Sequence, residues 1–341
     1  MSLERRASSP HGLTLAALAV AMLVAAFAGL AAGAFPLTLD SYARAFGKLW
    51  YGDGPLAADE RVLLLIRGPR VLAGLLVGAA LAVAGVVYQG LFRNPLVSPD
   101  VLGVSTGAGL GAVIGIFFSL PVVMIQLLAF AGGLATVAVV ALIATAVQGR
   151  DTTLVLVLGG VVVGSLAGAA ISLLKILADP YDQLPAITFW LLGSLASIRG
   201  GELAGVLPAI VVGLVPLVLL RWRINVLSMG DEQARALGLE AGRLRILVIA
   251  AATLITASVV AVAGVIGWVG LVIPHIARML VGPNFERLLP AAMLMGAAYL
   301  VAVDTLARTL SQIEIPLGIL TAILGAPFFL WLLWRGRHGW S

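Results

Sequence analysis

The sequence contains no cysteine, and only 11% of its 341 residues are charged. The first absence excludes disulfides, thiolate metal sites and cysteine nucleophiles. The second excludes an ordinary soluble domain, in which about 25% of residues are charged. Lysine is almost missing. Lys48 and Lys175 are followed by Leu49 and Ile176, so the chain has no Walker A phosphate loop. The histidines, His11, His275 and His338, lie far apart, and no H-E-x-x-H pair occurs. His275 follows Pro274 in a broken apolar segment, where packing or a hydrogen bond is a plainer role than metal ligation. No cluster of acids stands within an apolar segment to support phosphate chemistry. The sequence therefore offers no catalytic residue and no metal site. A net charge of +5, carried by scattered arginines, does not make a nucleic-acid surface.

What the chain has in excess is apolar residues: 61% are hydrophobic, and the mean hydropathy is +1.10. At about 20 residues per crossing, this suffices for roughly ten transmembrane helices with short connections. The expected fold is all-α, a polytopic membrane protein forming a single domain over residues 1–341. Breaks at Gly, Pro and charged residues place the spans at Leu13–Ala34, Pro69–Leu91, Val101–Phe118, Val122–Val147, Thr153–Leu177, Leu203–Leu220, Leu244–Gly264, Val269–Leu280, Leu288–Ala307 and Pro316–Trp334. Ala32-Gly33-Ala34 resembles a signal-peptide cleavage site, but the apolar stretch before it is longer than a usual signal core. An even number of crossings puts both termini on one side. With the N-terminus inside, 13 of the 21 Lys and Arg residues face the cytoplasm and 8 face out, which favours N-in, C-in. The outside excess around Arg61–Arg70 is the exception. Trp50, Tyr51, Trp190, Trp222, Trp331 and Trp334 fall near span ends, as an aromatic belt does.

Glycine spacing is the most informative pattern. Gly103, Gly107, Gly111 and Gly115 recur every four residues, as do Gly160, Gly164 and Gly168, and Gly74 and Gly78. Small residues let helices approach closely in lipid, where burying apolar side chains gains little. Tight packing is one role for these stripes and shaping a conduit is the other. Ser165, Gly168, Ser172 and Lys175 share one helical face. Lys175 either snorkels to the interface or presents a cation to an anionic substrate. Residues 225–242 are the longest polar stretch between spans. Ser228 and Asp231 read as a capping box, Asp231 and Arg235 as an i,i+4 pair, and Gly238 as a helix stop. With Ala234 and Leu237 as its apolar face, such a helix suits docking into a groove of another protein, although a plain surface helix has the same features. The turn Phe92–Asp100 carries two prolines and reads as structural, with Ser98 or Asp100 capping the following span.

Several segments follow one another in a familiar order. They are Arg67-Gly68-Pro69-Arg70, Gln89-Gly90, Arg93-Asn94-Pro95-Leu96, Pro99-Asp100-Val101-Leu102-Gly103, Gly264–His275, Asp304–Arg308, Glu314-Ile315-Pro316-Leu317-Gly318 and Gly325-Ala326-Pro327-Phe328-Phe329. The chain resembles the FecCD family of type II ABC importer permeases over nearly its whole length. That resemblance implies a homodimer with the path at its two-fold interface, two cytoplasmic ABC ATPases and a periplasmic substrate-binding protein. It implies ATP and Mg in the ATPases and no cofactor bound by this chain.

The resemblance also assigns roles. Arg67, Arg70 and Arg308 receive carboxylates of the binding protein, which would account for the outside charge, exposed guanidiniums being suited to carboxylates. Met229, Gly230, Asp231, Glu232, Ala234, Arg235, Leu237 and Gly238 couple to the ATPase. Ser165, Gly168, Ser172 and Lys175 line the path, with a short helix near Phe189–Ser194 at its outer end. The inner gate falls on the turn carrying Arg150, Asp151, Thr152 and Thr153, where the charge pair departs from the family's pattern. The expected activity is import of a metal chelate across the bacterial inner membrane, iron–siderophore first, with haem, cobalamin or molybdate as alternatives. An ion-coupled secondary transporter is the rival class, but Asp304 is the one acid well inside a span and it lies near that span's outer end.

Overall fold

The computed structural model describes residues 10–52, 54–147 and 152–335, and among them every regular element is a helix. In chain order these are α1 (Pro10–Ala31), α2 (Leu39–Tyr51), α3 (Ala58–Arg61), α4 (Gly68–Leu91), α5 (Val104–Phe117), α6 (Val122–Ala146), α7 (Thr152–Leu177), α8 (Gln183–Leu192), α9 (Gly200–Leu219), α10 (Arg221–Leu227), α11 (Asp231–Ala236), α12 (Ala241–Ala263), α13 (Val269–Val281), α14 (Phe285–Ala307) and α15 (Leu317–Arg335). A π turn, Val62–Arg67, joins α3 to α4, and a 3₁₀ turn, Pro99–Leu102, precedes α5. Each expected span falls on a helix, but the crossings are unequal. Seven helical stretches are long and apolar enough to traverse a bilayer. At 1.5 Å per residue, α5 and α13, with 14 and 13 residues, reach only about 20 Å of the ~30 Å hydrocarbon layer.

The centre of the bundle is α4, buried almost continuously from Ala80 to Leu91 and packed on α12, α13 and α14. Glycine makes this crossing possible. A Cβ on Gly78 would stand 2.2 Å from the Gly296 carbonyl oxygen of α14, so the two backbones touch directly. The α5 stripe behaves in the same way: Gly107 and Gly111 lie against the Gly132 and Leu128 carbonyls of α6. Packing is therefore the role of that stripe. The α7 stripe divides. Gly160 meets the Val101 carbonyl, whereas a Cβ on Gly168 would find no atom within 4 Å.

At the periphery, α1 leans on α14 but is otherwise exposed, as are large parts of α6, α7 and α9. Following the arginine distribution, the end holding the 92–103 turn and α11 is termed inner, and the end holding α2, α3 and α8 outer. The outer segment 39–51, read from the sequence only as a connection, is a capped helix. Thr38 exchanges hydrogen bonds with Ser41 at its start, and Gly52, with φ +71°, ends it.

Candidate functional site

At the outer end the structure brings Arg67, Arg70 and Arg308 together, but none of them is exposed. Arg67 is buried and donates through Nη1 to the Leu30 and Ala31 carbonyls at 3.0 and 3.1 Å and through Nη2 to Phe35 at 2.6 Å. Arg308 donates to Ala32 at 2.6 Å and to Gly29. Two guanidiniums thus satisfy the orphan carbonyls at the C-terminus of α1, where cations also suit the helix dipole. Arg70 grips Asp304 through Nε at 3.0 Å and Nη2 at 2.9 Å, and reaches Glu314 through Nη1 at 2.6 Å. The free guanidinium forks expected from the sequence are absent from this arrangement. A buried charge is costly unless paired, and the α1 carbonyls, Asp304 and Glu314 supply the partners. Glu314 is legible in the sequence only as part of a segment of the resemblance; its pairing with Arg70, 244 positions away along the chain, has no local signal.

The network reaches further. Leu317, two residues past Ile315, donates its N–H to the Gly193 carbonyl at 3.0 Å, and Gly318 packs on the Leu192 carbonyl. These contacts join the Glu314 turn to the C-terminus of α8, whose observed range, Gln183–Leu192, begins earlier than the sequence suggested.

The expected path residues lie along one face of α7. Ser165 and Ser172 are exposed and donate to their own helix, to Val161 at 2.7 Å and Gly168 at 2.9 Å. Lys175 is half-buried near the outer end and makes no ion pair among the described residues. Among the described residues, a Cβ on Gly168 would meet no atom within 4 Å. Ser165 and Ser172 of this face are exposed, and Gly168 and Lys175 are half-buried.

At the inner end, Arg150 and Asp151 of the expected gate lie outside the described residues, as does the Thr152 side chain. Thr153 is described and lines a cleft with Leu154 and Val157 of α7 on one side and Asn94, Leu96 and Asp100 of the 92–101 turn on the other. The turn is therefore a wall of this cleft as well as a connection. Its caps differ from expectation: Gly103, φ +77°, precedes α5 as an N-cap without a side-chain hydrogen bond, and Asp100 instead accepts from the Ser105 hydroxyl. Burial pushes the Asp100 carboxyl above its ordinary value, and the hydroxyls of Ser105 and Ser98 oppose that rise.

A short helix, α11, stands where the coupling segment is expected, with Gly238 at φ +77° as its stop. Its interior bonds are not those expected. Gly230 is the N-cap, Ser228 donates to the Asn225 carbonyl, and no capping box forms. Asp231 pairs with Arg245 of α12 instead of Arg235, which fixes α11 to the end of a buried helix. Ala234 is fully buried, so the outward apolar groups are Met229 and Leu237, at 60% and 58% exposure. Glu232 and Arg235 are exposed beside them. Gly230 is buried beneath them, against the Gln233 side chain.

The FecCD transport family matches residues 18–335. The chain belongs to the FecCD transport family. It is 39% identical over 325 residues to the molybdate import system permease protein MolB of Haemophilus influenzae, covering 94% of this chain and 95% of the relative. It is 44% identical over 283 residues to a probable iron chelatin transport system permease protein of Helicobacter pylori, covering 83% and 85%. A solved structure described as an inward-facing conformation of a metal-chelate type ABC transporter superposes with TM-score 0.85 at 38% identity, covering 94% of this chain and 98% of that one. This FecCD chain is accordingly the permease of an ABC importer, a multi-pass protein of the bacterial inner membrane. As a permease it is a transport subunit, and the family works with ATPase and substrate-binding partners.

Proposed function

We propose that this permease imports an anionic metal chelate, an iron–siderophore first, along a path formed where the α7 faces of two copies meet. The observation that carries this reading is the Ser165–Gly168–Ser172–Lys175 face, open at Ser165 and Ser172, which holds hydroxyls and a cation with no ion pair among the described residues. A cation at the outer end of that face would attract the carboxylates or oxyanions of a chelate. Relatives named for molybdate and for iron chelatin import handle different cargoes on the same fold, so the cargo is set by details of the path and by the binding protein.

In the proposed cycle, two cytoplasmic ATPases grip the Met229–Gly238 segment, and movement of α11 reaches the bundle through the Asp231–Arg245 tie. Thr153 and the 92–101 turn close the inner end, and a periplasmic binding protein docks near Arg67, Arg70 and Arg308. Alternating access then follows from helix movement driven by ATP bound in the partners.

The test is the reconstituted permease–ATPase complex, supplied with binding protein loaded in turn with ferric siderophore, haem, cobalamin or molybdate. Stimulation of both ATPase activity and uptake by ferric siderophore is the expected result. Stimulation by one of the others replaces the cargo. Uptake driven by an ion gradient without ATP would overturn the reading in favour of a secondary transporter.

A further inference from the structure

The outer helix α2 carries an apolar stripe that the described residues leave exposed. At 100° per residue, Leu39, Ala43, Phe46 and Trp50 fall within roughly 60° of arc, the spacing of one helical face. Their side chains point away from the protein: Leu39 is 84% exposed, Phe46 70% and Trp50 78%. The opposite face is the buried one, where Ser41 and Ala45 are 2% and 1% exposed. The two cations of the helix are turned to its own chain, while Asp40, on the flank of the stripe, stays exposed and pairs with Arg44. Arg44 meets Asp59 at 2.6 Å and Glu60 at 3.4 Å, and Lys48 meets Glu60 at 2.6 Å and the Pro55 carbonyl at 2.6 Å.

Three observations identify what covers the stripe. First, α1 is long and apolar enough to cross the membrane, yet only 6% of its apolar window is buried, so its outer surface, including Leu23, Val24 and Phe27, faces lipid. Second, α2 starts eight positions after α1 ends and is fastened to that same surface. Phe27 stacks on Tyr42 with centroids 6.5 Å apart, and the Tyr42 hydroxyl donates to the Leu30 carbonyl at 3.1 Å. Third, the stripe combines Trp50 and Phe46 with Leu39, the apolar set of helices that lie where hydrocarbon meets water. Arg44 and Lys48 are already engaged with Asp59 and Glu60, so neither offers a free cation beside the stripe.

We infer that α2 is an interfacial helix, lying along the outer leaflet of the inner membrane with Leu39, Phe46 and Trp50 set into the boundary between headgroups and acyl chains. Glu60, which receives Lys48, begins the continuous helix that carries Arg67 and Arg70. The anchored helix therefore braces the outer end of α4 against the bilayer. This inference stands on the exposed stripe and on α1, and does not depend on the cargo or on where a binding protein docks.

The cysteine-free sequence makes the test direct. Single-cysteine variants Leu39→Cys, Phe46→Cys and Trp50→Cys, with Asp40→Cys and Gly47→Cys on the flank, are spin-labelled in the full permease–ATPase complex in phospholipid vesicles. Accessibility to molecular oxygen and to a water-soluble nickel chelate is then compared. The expected result is a ratio favouring oxygen several-fold at 39, 46 and 50 over 40 and 47. Equal nickel access at all five positions would overturn the inference. So would protection at 39, 46 and 50 that arises only when binding protein is added, which would mark a protein-docking face. Dipolar coupling between labels at 46 on two copies, with no oxygen preference, would assign the stripe to the second copy and likewise overturn it.

Discussion

Arg70 and Asp304 stand 234 positions apart in the chain and form a buried two-point pair, with Nε 3.0 Å and Nη2 2.9 Å from the same carboxylate oxygen. The pair ties the start of α4 to the end of α14, across the crossing where Gly78 and Gly296 touch. It also explains why an acid near the end of a span need not be an ion-coupling group: Asp304 already has its counter-charge. A buried charge left without any partner costs about 3–5 kcal/mol. Here Arg70 would keep the partly exposed Glu314 and Asp304 would keep Arg308 at 3.6 Å, so each single loss is smaller than that but well above a surface pair's. Asp304→Asn and Arg70→Met are therefore each expected to lower the thermal unfolding midpoint in detergent markedly. The double variant Arg70→Met/Asp304→Leu is expected to lose much less than the sum. Strict additivity would show that the two residues act independently.

Glu314 holds the third side of the Arg70 guanidinium while remaining 43% exposed. If a carboxylate of the binding protein docks on Arg70, it must take the place of Glu314. Glu314→Gln is then expected to tighten binding-protein association two- to five-fold, about 0.5–1 kcal/mol for a partly exposed pair. Arg70→Glu would bury a third carboxylate beside Asp304 and Glu314 and so report on folding rather than on docking. Surface plasmon resonance on nanodisc-embedded transporter measures the Glu314→Gln affinity. If Glu314→Gln left it unchanged, docking would lie elsewhere on the outer end.

For ATPase coupling, the informative positions are the outward ones. Ala234 is fully buried, so a bulky residue there would overpack α11 and report on folding rather than contact. Leu237→Ala and Met229→Ala remove exposed apolar groups and are expected to leave folding unchanged while weakening ATPase association. Asp231→Asn is expected to loosen α11 from Arg245 and to lower uptake per ATP hydrolysed. Normal stoichiometry in all three would remove this segment from the coupling route.

The crossings were legible because a bilayer demands long apolar runs, and such runs are local in sequence. The glycine stripes were legible for the same reason, since period four identifies a face. What covers a face is not local. The sequence showed Arg67, Arg70 and Arg308 as outside charges, but their burial depends on the α1 carbonyls and on Glu314, brought near only by the fold. Asp231 was assigned to Arg235 by i,i+4 spacing, while the structure offers it Arg245 from the next helix. The stripe Leu39, Ala43, Phe46 and Trp50 did carry a readable period, but Asp40, Arg44 and Lys48 interrupt the apolar run, so a hydropathy window passes over it. The 92–101 turn was legible as a turn, and its role as a cleft wall needed the start of α7 beside it.

Gly78 and Gly168 separate packing from transport. A Cβ at Gly78 would collide with backbone, so Gly78→Val is expected to cost about 1–3 kcal/mol or more and to reduce the yield of folded protein. A Cβ at Gly168 meets nothing within 4 Å, so Gly168→Val is expected to fold as the native chain does. If its face lines the path, however, uptake should fall while the unfolding midpoint stays fixed. Lys175, on the same face, adds a charge test. A snorkelling lysine tolerates Lys175→Ala with little effect on uptake. A path-facing cation contributes about 1 kcal/mol or more of attraction to each anionic group it meets at close range. Lys175→Glu should then slow uptake of an anionic chelate roughly five-fold or more, and Lys175→Arg should restore it. Equal slowing of a neutral cargo would point to packing at the outer end of α7, and no slowing of either cargo would return Lys175 to the lipid interface.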